Sequence, residues 1–228
     1  MNYAEAVNYL FSLLGDVRAT NFGLARMHRL LDSLGNPQRA FRAVHIAGTN
    51  GKGSTAAYIE AGLRANGQRV GLYTSPHLVR INERVRLNGQ EISDHDFAAV
   101  VDEVRIANER ILATRGSEDH PTFFESITAM AFVAFHHAEV EWAVVEVGLG
   151  GRLDATNVLT GEVGVVTPID FDHERFLGKD RTSIGIEKAG IFKPGMRAVI
   201  APQHTEVMAV IEKCAARLNT TLMYIGKD

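Results

Sequence analysis

The chain has 228 residues, of which 46% are apolar and 22% charged, and its 24 Lys and Arg against 27 Asp and Glu give a formal net charge of −3. These are ordinary globular proportions, so disordered, collagenous and membrane-spanning chains are excluded, and the near-neutral balance gives no electrostatic reason to expect a nucleic acid or an anionic membrane as partner. A single cysteine, Cys214, rules out an internal disulfide and fits a reducing cytoplasm, and no signal-peptide pattern marks the N-terminus.

From the N-terminus, Ala6, Val7, Leu10, Leu13 and Leu14 recur at helical spacing and predict a helix over residues 5–14, stopped by Gly15. Met27, Leu30, Leu31 and Leu34 predict a second helix over 24–34, closed by Gly35 with Pro37 beyond. The pattern then changes. Residues 41–47 read as a strand running into a glycine-rich loop, 55–65 as a helix and 69–73 as a strand, which makes a βαβ unit at the start of a parallel sheet. Asn88-Gly89, between short strands at 85–87 and 91–92, predicts a hairpin. Ser93 with Asp96 and Thr122 with Glu125 are helix-opening pairs, for helices running to about 114 and about 137. Strands at 142–147 and 163–167, a short helix at 182–190, a strand at 198–201, a helix at 205–218 and a strand at 221–225 complete the alternation. The fold class expected is α/β, a mostly parallel sheet with flanking helices in one domain over 1–228. The chain stops at Gly226-Lys227-Asp228, straight after an apparent strand, so a C-terminal truncation is expected, with a second domain absent.

The loop Gly48-Thr49-Asn50-Gly51-Lys52-Gly53-Ser54 joins a predicted strand to a predicted helix. Glycines let the backbone turn its N–H groups inward, and a helix N-terminus adds partial positive charge, so such a loop suits a phosphate. Lys52 can reach outer phosphates and the Ser54 hydroxyl can hold Mg²⁺. The spacing departs from the usual G-x-x-x-x-G-K-[ST]: Ile46 stands where the first glycine would be, and Gly53 separates Lys52 from the hydroxyl. A plain glycine-rich turn is the alternative reading.

The longer string from His45 to Ser54 resembles the ATP loop of the folylpolyglutamate synthase and dihydrofolate synthase family, which are Mur-type amide ligases and characteristically carry the inserted glycine. Further matching stretches follow in order: Tyr73-Thr74-Ser75-Pro76-His77-Leu78, Thr122-Phe123-Phe124-Glu125, residues 146–157, and residues 170–191 with Asp172-His173 and Glu187-Lys188-Ala189-Gly190-Ile191. The resemblance covers essentially the whole chain, although such synthases are two-domain enzymes of roughly twice this length. It implies a P-loop NTPase-like Mur ligase central domain, ATP and Mg²⁺ as cofactors, and amide synthesis through an acyl phosphate. The expected substrates are dihydropteroate or a reduced folate, and L-glutamate; the expected setting is the cytoplasm, with a monomer at full length.

The same resemblance implies the roles of single residues. Gly48, Thr49, Asn50, Gly51, Lys52, Gly53 and Ser54 would hold ATP. Ser54, Ser75, Glu146 and His173 would be metal ligands. Glu146 ends an apolar strand, where an acid is costly unless paired or on a metal and where open α/β sheets bind ligands; a carboxylate simply facing water is the alternative. Imidazole is unusual on Mg²⁺, so a plain loop role for His173 stands beside its metal role, as a turn before Pro76 does for Ser75. Lys52, His173 and Lys188 form the implied catalytic set, and the family's lysine matching Lys188 is carbamylated by CO₂; the alternative is an exposed helix lysine near Glu187. At the pterin end, Asn21, Phe22 and Gly23 resemble a loop that covers the pteroate, and Thr122, Phe123, Phe124, Glu125, Leu153, Asp154 and Ala155 match stretches lining its pocket. Phe124 can offer a stacking face and Asp154 can accept from ring N–H groups. Core packing of one of the two phenylalanines and a Thr122–Glu125 capping box are the structural alternatives.

Three other functions fit parts of the pattern: a Mur-type ligase on a cell-wall precursor, a non-catalytic ATP- or pteroate-binding fragment, and a small-molecule kinase. The kinase leaves residues 146–157 and Lys188 unexplained. The Gly-Lys-Gly-Ser loop and Ser75-Pro76-His77-Leu78 favour the folate branch over the cell-wall one.

Overall fold

The computed structural model describes residues 1–14 and 23–226. Strands β1 (Arg42–Ala47), β2 (Val70–Tyr73), β3 (Val85–Leu87), β4 (Gln90–Glu91), β5 (Trp142–Glu146), β6 (Val163–Val166), β7 (Arg197–Ile200) and β8 (Thr221–Tyr224) form one eight-stranded sheet in the order β4-β3-β2-β5-β1-β6-β7-β8. β3 and β4 form an antiparallel hairpin on one edge, β3 also pairs antiparallel with β2, and the remaining five pairings are parallel. The helices are α1 (Tyr3–Ser12), α2 (Ala25–Ser33), α3 (Lys52–Ala65), α4 (Asp94–Arg115), α5 (Phe123–His137), α6 (Glu174–Leu177), α7 (Arg181–Ala189) and α8 (Thr205–Leu218).

A parallel sheet covered on both faces needs strands that are apolar on both sides, and β1 and β5 are such runs. Val44, Ile46, Val70, Leu72, Val144 and Val165 point to one face and cluster with Ala56 of α3. Ala43, Tyr73, Ala143 and Val145 point to the other and join the buried faces of α1, α2, α4 and α5. Further along that face Ala47, Val166, Ala198 and Ile200 pack with Ile184 of α7 and with Val207 and Ile211 of α8. Helix α5 is apolar almost all round because it lies between the sheet and α1, α2 and α4.

The expected alternation and hairpin form, with shifts at element ends. The α3 helix starts at Lys52 rather than at 55, because Gly51 turns the chain at φ 81° and brings the loop lysine into the first turn. Asp180 caps α7, accepting from Ser183 N at 2.8 Å, so that helix begins at Arg181. The four-residue α6 and the short 3₁₀ turns are too brief to leave a periodicity. The opening pairs are real caps: Ser93 Oγ accepts from Asp96 N at 3.0 Å, and Thr122 and Glu125 form a reciprocal box. The expected stop at Gly15 lies outside the described residues.

The β2–α5 contact is closed by a missing side chain. A Cβ on Gly71 would overlap the ring of Phe135. Gly71→Ala should therefore lower the free energy of unfolding by about 1–3 kcal/mol through overpacking. The check is the urea midpoint at constant m-value; an unshifted midpoint would show that α5 yields without cost.

Candidate functional site

The loop after β1 is built against the end of β6. Gly48 has φ 145°, and a Cβ there would overlap the Thr167 hydroxyl, so no other residue fits. Thr49 N and Asn50 N donate to Pro168 O at 3.0 and 3.3 Å, and Thr49 Oγ1 donates to Asp170 O at 3.0 Å. Beyond Gly51 the first helical bond of α3 runs from Thr55 N to Gly51 O at 2.9 Å. The N–H groups of Lys52, Gly53 and Ser54 precede any intrahelical acceptor, and no side chain caps this end. An uncapped helix N-terminus at a glycine turn presents donors and a partial positive charge to an anion. Lys52 Nζ lies folded over its own loop, donating to Gly48 O at 3.1 Å and Thr49 O at 3.3 Å.

Glu146 closes β5 beside this loop, paired in register with Ile46. It is 5% exposed, and its Oε2 accepts from Ser75 N at 3.0 Å. Burial raises its pKa; the Ser75 N–H and the charges of Lys52 and Arg84 oppose that rise. The extra glycine of the loop lies against this acid, since a Cβ on Gly53 would come 3.5 Å from Oε2. Glu146, Ser75 and Gly53 are thus one cluster.

Lys188, on α7, is 1% exposed, so the exposed-lysine alternative is overturned. Its Nζ donates to Gly48 O at 2.7 Å and to Asp172 Oδ2 at 3.1 Å. Burial pulls its pKa down, Asp172 pulls it up, and the Lys52 charge adds to the fall. One carbonyl oxygen, that of Gly48, therefore accepts from both lysines. The other Asp172 oxygen, Oδ1, lies 3.4 Å from Nε2 of His173, a residue at φ 43° whose side chain is half exposed. Lys52, Glu146, Lys188 and His173 accordingly share the carboxyl edge of the sheet. Among the described residues no three His, Cys, Asp or Glu side chains gather as a ready metal cage. What fits a hard divalent cation is the oxygen set of Glu146, Ser75 and the exposed Ser54, whereas the His173 imidazole lies against Asp172.

At the pterin end, Thr122 and Glu125 are the capping box, and Glu125 also pairs with Arg26 at 3.1 Å. Phe123 stacks on Phe11 with centroids 6.0 Å apart, and Phe124 lies 6.5 Å from the Tyr73 ring, its edge where a Gly148 side chain would be. Both phenylalanines are half-buried. Asp154 is buried and turned into its own loop: Oδ1 accepts from Thr156 N at 3.0 Å and Thr156 Oγ1 at 2.5 Å, and Oδ2 from Leu149 N at 2.8 Å. Leu153 is half-buried and Ala155 buried beside it. Gly23 stands in open space, and Asn21 and Phe22 lie outside the described residues.

Sequence reasoning missed two groups. His45 on β1 is wholly buried and bonds Thr156 Oγ1 through Nε2 at 2.8 Å. Because that hydroxyl donates to Asp154, Nε2 must carry the proton. Arg84 is buried, bonded through Nε to His77 Nδ1 at 2.8 Å, and its charge acts on Glu146; lying in a short turn before β3, it reads in sequence as a surface arginine.

A mostly parallel α/β sheet with a glycine loop and an open helix end at its carboxyl edge defines a class of phosphate-loop folds. Within it, the chain belongs to the Mur ligase family: residues 46–228 match the Mur ligase middle domain. It is 42% identical over 226 residues to a folylpolyglutamate synthase of Lacticaseibacillus casei, covering 97% of this chain and 50% of that protein. It is 42% identical over 196 residues to a dihydrofolate synthase/folylpolyglutamate synthase of Bacillus subtilis, covering 86% and 45%. A solved FPGS–AMPPCP–folate complex superposes with a TM-score of 0.94 at 39% identity, over 100% of this chain and 55% of that one. A Mycobacterium tuberculosis folylpolyglutamate synthase complexed with ADP and AMPPCP gives 0.85 at 42% identity, over 89% and 47%. The chain thus spans about half the length of the curated relatives it matches.

Burial holds the His45 pKa down to about 3, with the charge of Lys193 adding to the fall. The unfolded chain therefore takes up a proton near the ordinary value of 6.5 that the folded chain refuses, and stability falls as pH drops from 6.5 towards 3. His45→Gln keeps a donor for Thr156 and does not titrate. Its stability relative to wild type should improve on going from pH 7 to pH 4, by at most about 1.4 kcal/mol per pH unit. Urea unfolding at both pH values checks this; a pH-independent difference would contradict a buried neutral imidazole.

Proposed function

We propose that this chain is the nucleotide- and pteroate-binding part of a cytoplasmic ligase that joins L-glutamate to dihydropteroate or a reduced folate, using ATP. The observation that carries the reading is the meeting of an uncapped helix N-terminus, a loop lysine and a buried acid at one sheet edge. Relatives named for this activity, and a neighbour solved with AMPPCP and folate, support it.

In this reading the phosphates of ATP lie at the N–H groups of residues 52–54, and Lys52 leaves the Gly48 and Thr49 carbonyls for them. Glu146, Ser75 and Ser54 would hold Mg²⁺, which when bound neutralises phosphate charge, and His173 would reach a second Mg²⁺ only by leaving Asp172. A substrate carboxylate oxygen attacks the γ-phosphorus, ADP leaves, and an acyl phosphate results. The glutamate amine then attacks the acyl carbon, loses a proton and expels phosphate. Positioning and charge neutralisation carry such a phosphoryl step. Lys188, buried and depressed in pKa, is suited to losing a proton and adding CO₂ to Nζ, the carbamate expected of its position. Gly23, Phe124, Leu153 and Ala155 belong in this reading to the wall around the pterin. Asp154 meets the ring only by exchanging a loop bond for a ring N–H, or acts by shaping the loop.

The second reading is a binding piece without turnover, and the half-length coverage of the relatives favours it. Incubation with MgATP, dihydropteroate and glutamate separates the two: labelled product supports turnover, and saturable dihydropteroate binding without product supports the binding piece. Binding of neither ATP nor dihydropteroate would contradict both. Lys52→Ala should weaken binding of a non-hydrolysable ATP analogue about tenfold or more, because a cation on phosphate is lost. Calorimetry measures it, and unchanged affinity would remove the loop from the nucleotide site.

A further inference from the structure

Arg84 is a buried cation with no ion-paired carboxylate among the described residues. It is 8% exposed at the end of the 3₁₀ turn Ile81–Arg84, between the Ser75–His77 loop and β3. Its Nε donates to Nδ1 of His77 at 2.8 Å, so His77 is the neutral tautomer with its proton on Nε2. The guanidinium lies 5.8 Å from the Phe123 ring centroid and beside the Tyr73 hydroxyl. Glu146 feels its charge but is not among its ion-pair partners. The adjacent acid, Glu83, is committed elsewhere: its two oxygens accept from the backbone N–H groups of Leu78, Val79 and Arg80 at 2.6–2.8 Å. Among the described residues no carboxylate is ion-paired with Arg84.

Burying a guanidinium without a counter-charge is costly. The fold accepts that cost with neutral partners, and among the described residues no acid meets the terminal N–H fork. The fork is flanked by aromatic rings and lies within the field of Glu146, at the edge where the ATP loop ends. A planar fork beside ring faces matches a carboxylate carried on a flat ring, through two parallel N–H···O bonds. An aliphatic amino acid would satisfy the charge but leave the rings uncovered.

We infer that Arg84 is a specificity residue, which receives the carboxylate of an aromatic acid on its guanidinium fork while His77 holds its Nε edge. This rests on the proposed function and names the group that selects its acid substrate. It also places that carboxylate beside Glu146, on the phosphate side of the site.

The test is binding of pteroate and of its primary carboxamide, by fluorescence competition in the presence of a non-hydrolysable ATP analogue and Mg²⁺. Wild type should favour the acid at least tenfold. Arg84→Gln should bring acid and amide within about twofold, with the amide bound as by wild type. Arg84→Lys, keeping the charge and losing the fork, should fall between. Nucleotide affinity and the thermal melt of each variant report folding. An equal wild-type affinity for acid and amide overturns the inference whatever the variants do, and so does an acid preference that survives in Arg84→Gln. Displacement of pteroate by L-glutamate, lost in Arg84→Gln, would also overturn it by assigning the fork to the amino acid. Failure of the proposed function looks different, since neither pteroate nor its amide would then bind.

Discussion

Two ammonium groups on one carbonyl oxygen govern this edge of the sheet. Gly48 O accepts from Lys188 at 2.7 Å and from Lys52 at 3.1 Å. Like charges that close repel, and the fall in the Lys188 pKa includes the Lys52 charge. Only Asp172 answers them as a carboxylate partner among the described residues. The uncapped end of α3 adds to the same excess of positive potential. An anion arriving there relieves repulsion and satisfies open donors together, so the fold is set for charge that it does not itself supply.

Glycine contacts hold that arrangement rigid. The loop reaches β6 only because Gly48 has no side chain to strike Thr167. The loop after Glu146 closes on α7 in the same manner. A Cβ on Gly151 would lie 2.7 Å from Glu187 O, and one on Gly190 would overlap Arg152. Arg152 N then bonds Glu187 O at 2.9 Å, and Asn157 Nδ2 spans Arg152 O and Gly190 O at 2.9 and 3.0 Å. Lys193 secures that asparagine from below, with Nζ 2.6 Å from its Oδ1. The acid at the end of β5 and the lysine of α7 are therefore placed by one backbone zipper, and movement of either would be passed to the other.

Much of this was readable in advance where the signal was local. The strand-loop-helix of the ATP loop, the Asn88-Gly89 hairpin and the two capping pairs each depend on a few neighbouring residues, and each is found. The parallel core was readable because β1 and β5 are apolar on both faces. What sequence could not carry was pairing across the chain. The motif singles out Lys188, yet its burial and its partners Asp172 and Gly48 O, 16 and 140 positions away, appear only in the fold. Asp154 reads as a ligand acceptor, yet its bonds go to its own loop, and Arg84 reads as an ordinary charged residue in a turn. Burial decides all three, and burial is a property of the assembled sheet.

The most direct measurement is a map of backbone amide shifts when a non-hydrolysable ATP analogue and Mg²⁺ are titrated into the isotopically labelled chain. The largest changes should fall on residues 51–54, Ser75, Glu146 and Gly148, and 172–173, which lie in separate parts of the sequence and meet only at the carboxyl edge. Changes confined to the opposite edge, around Arg42, Trp142 and Arg197, would contradict the convergence on which the account rests.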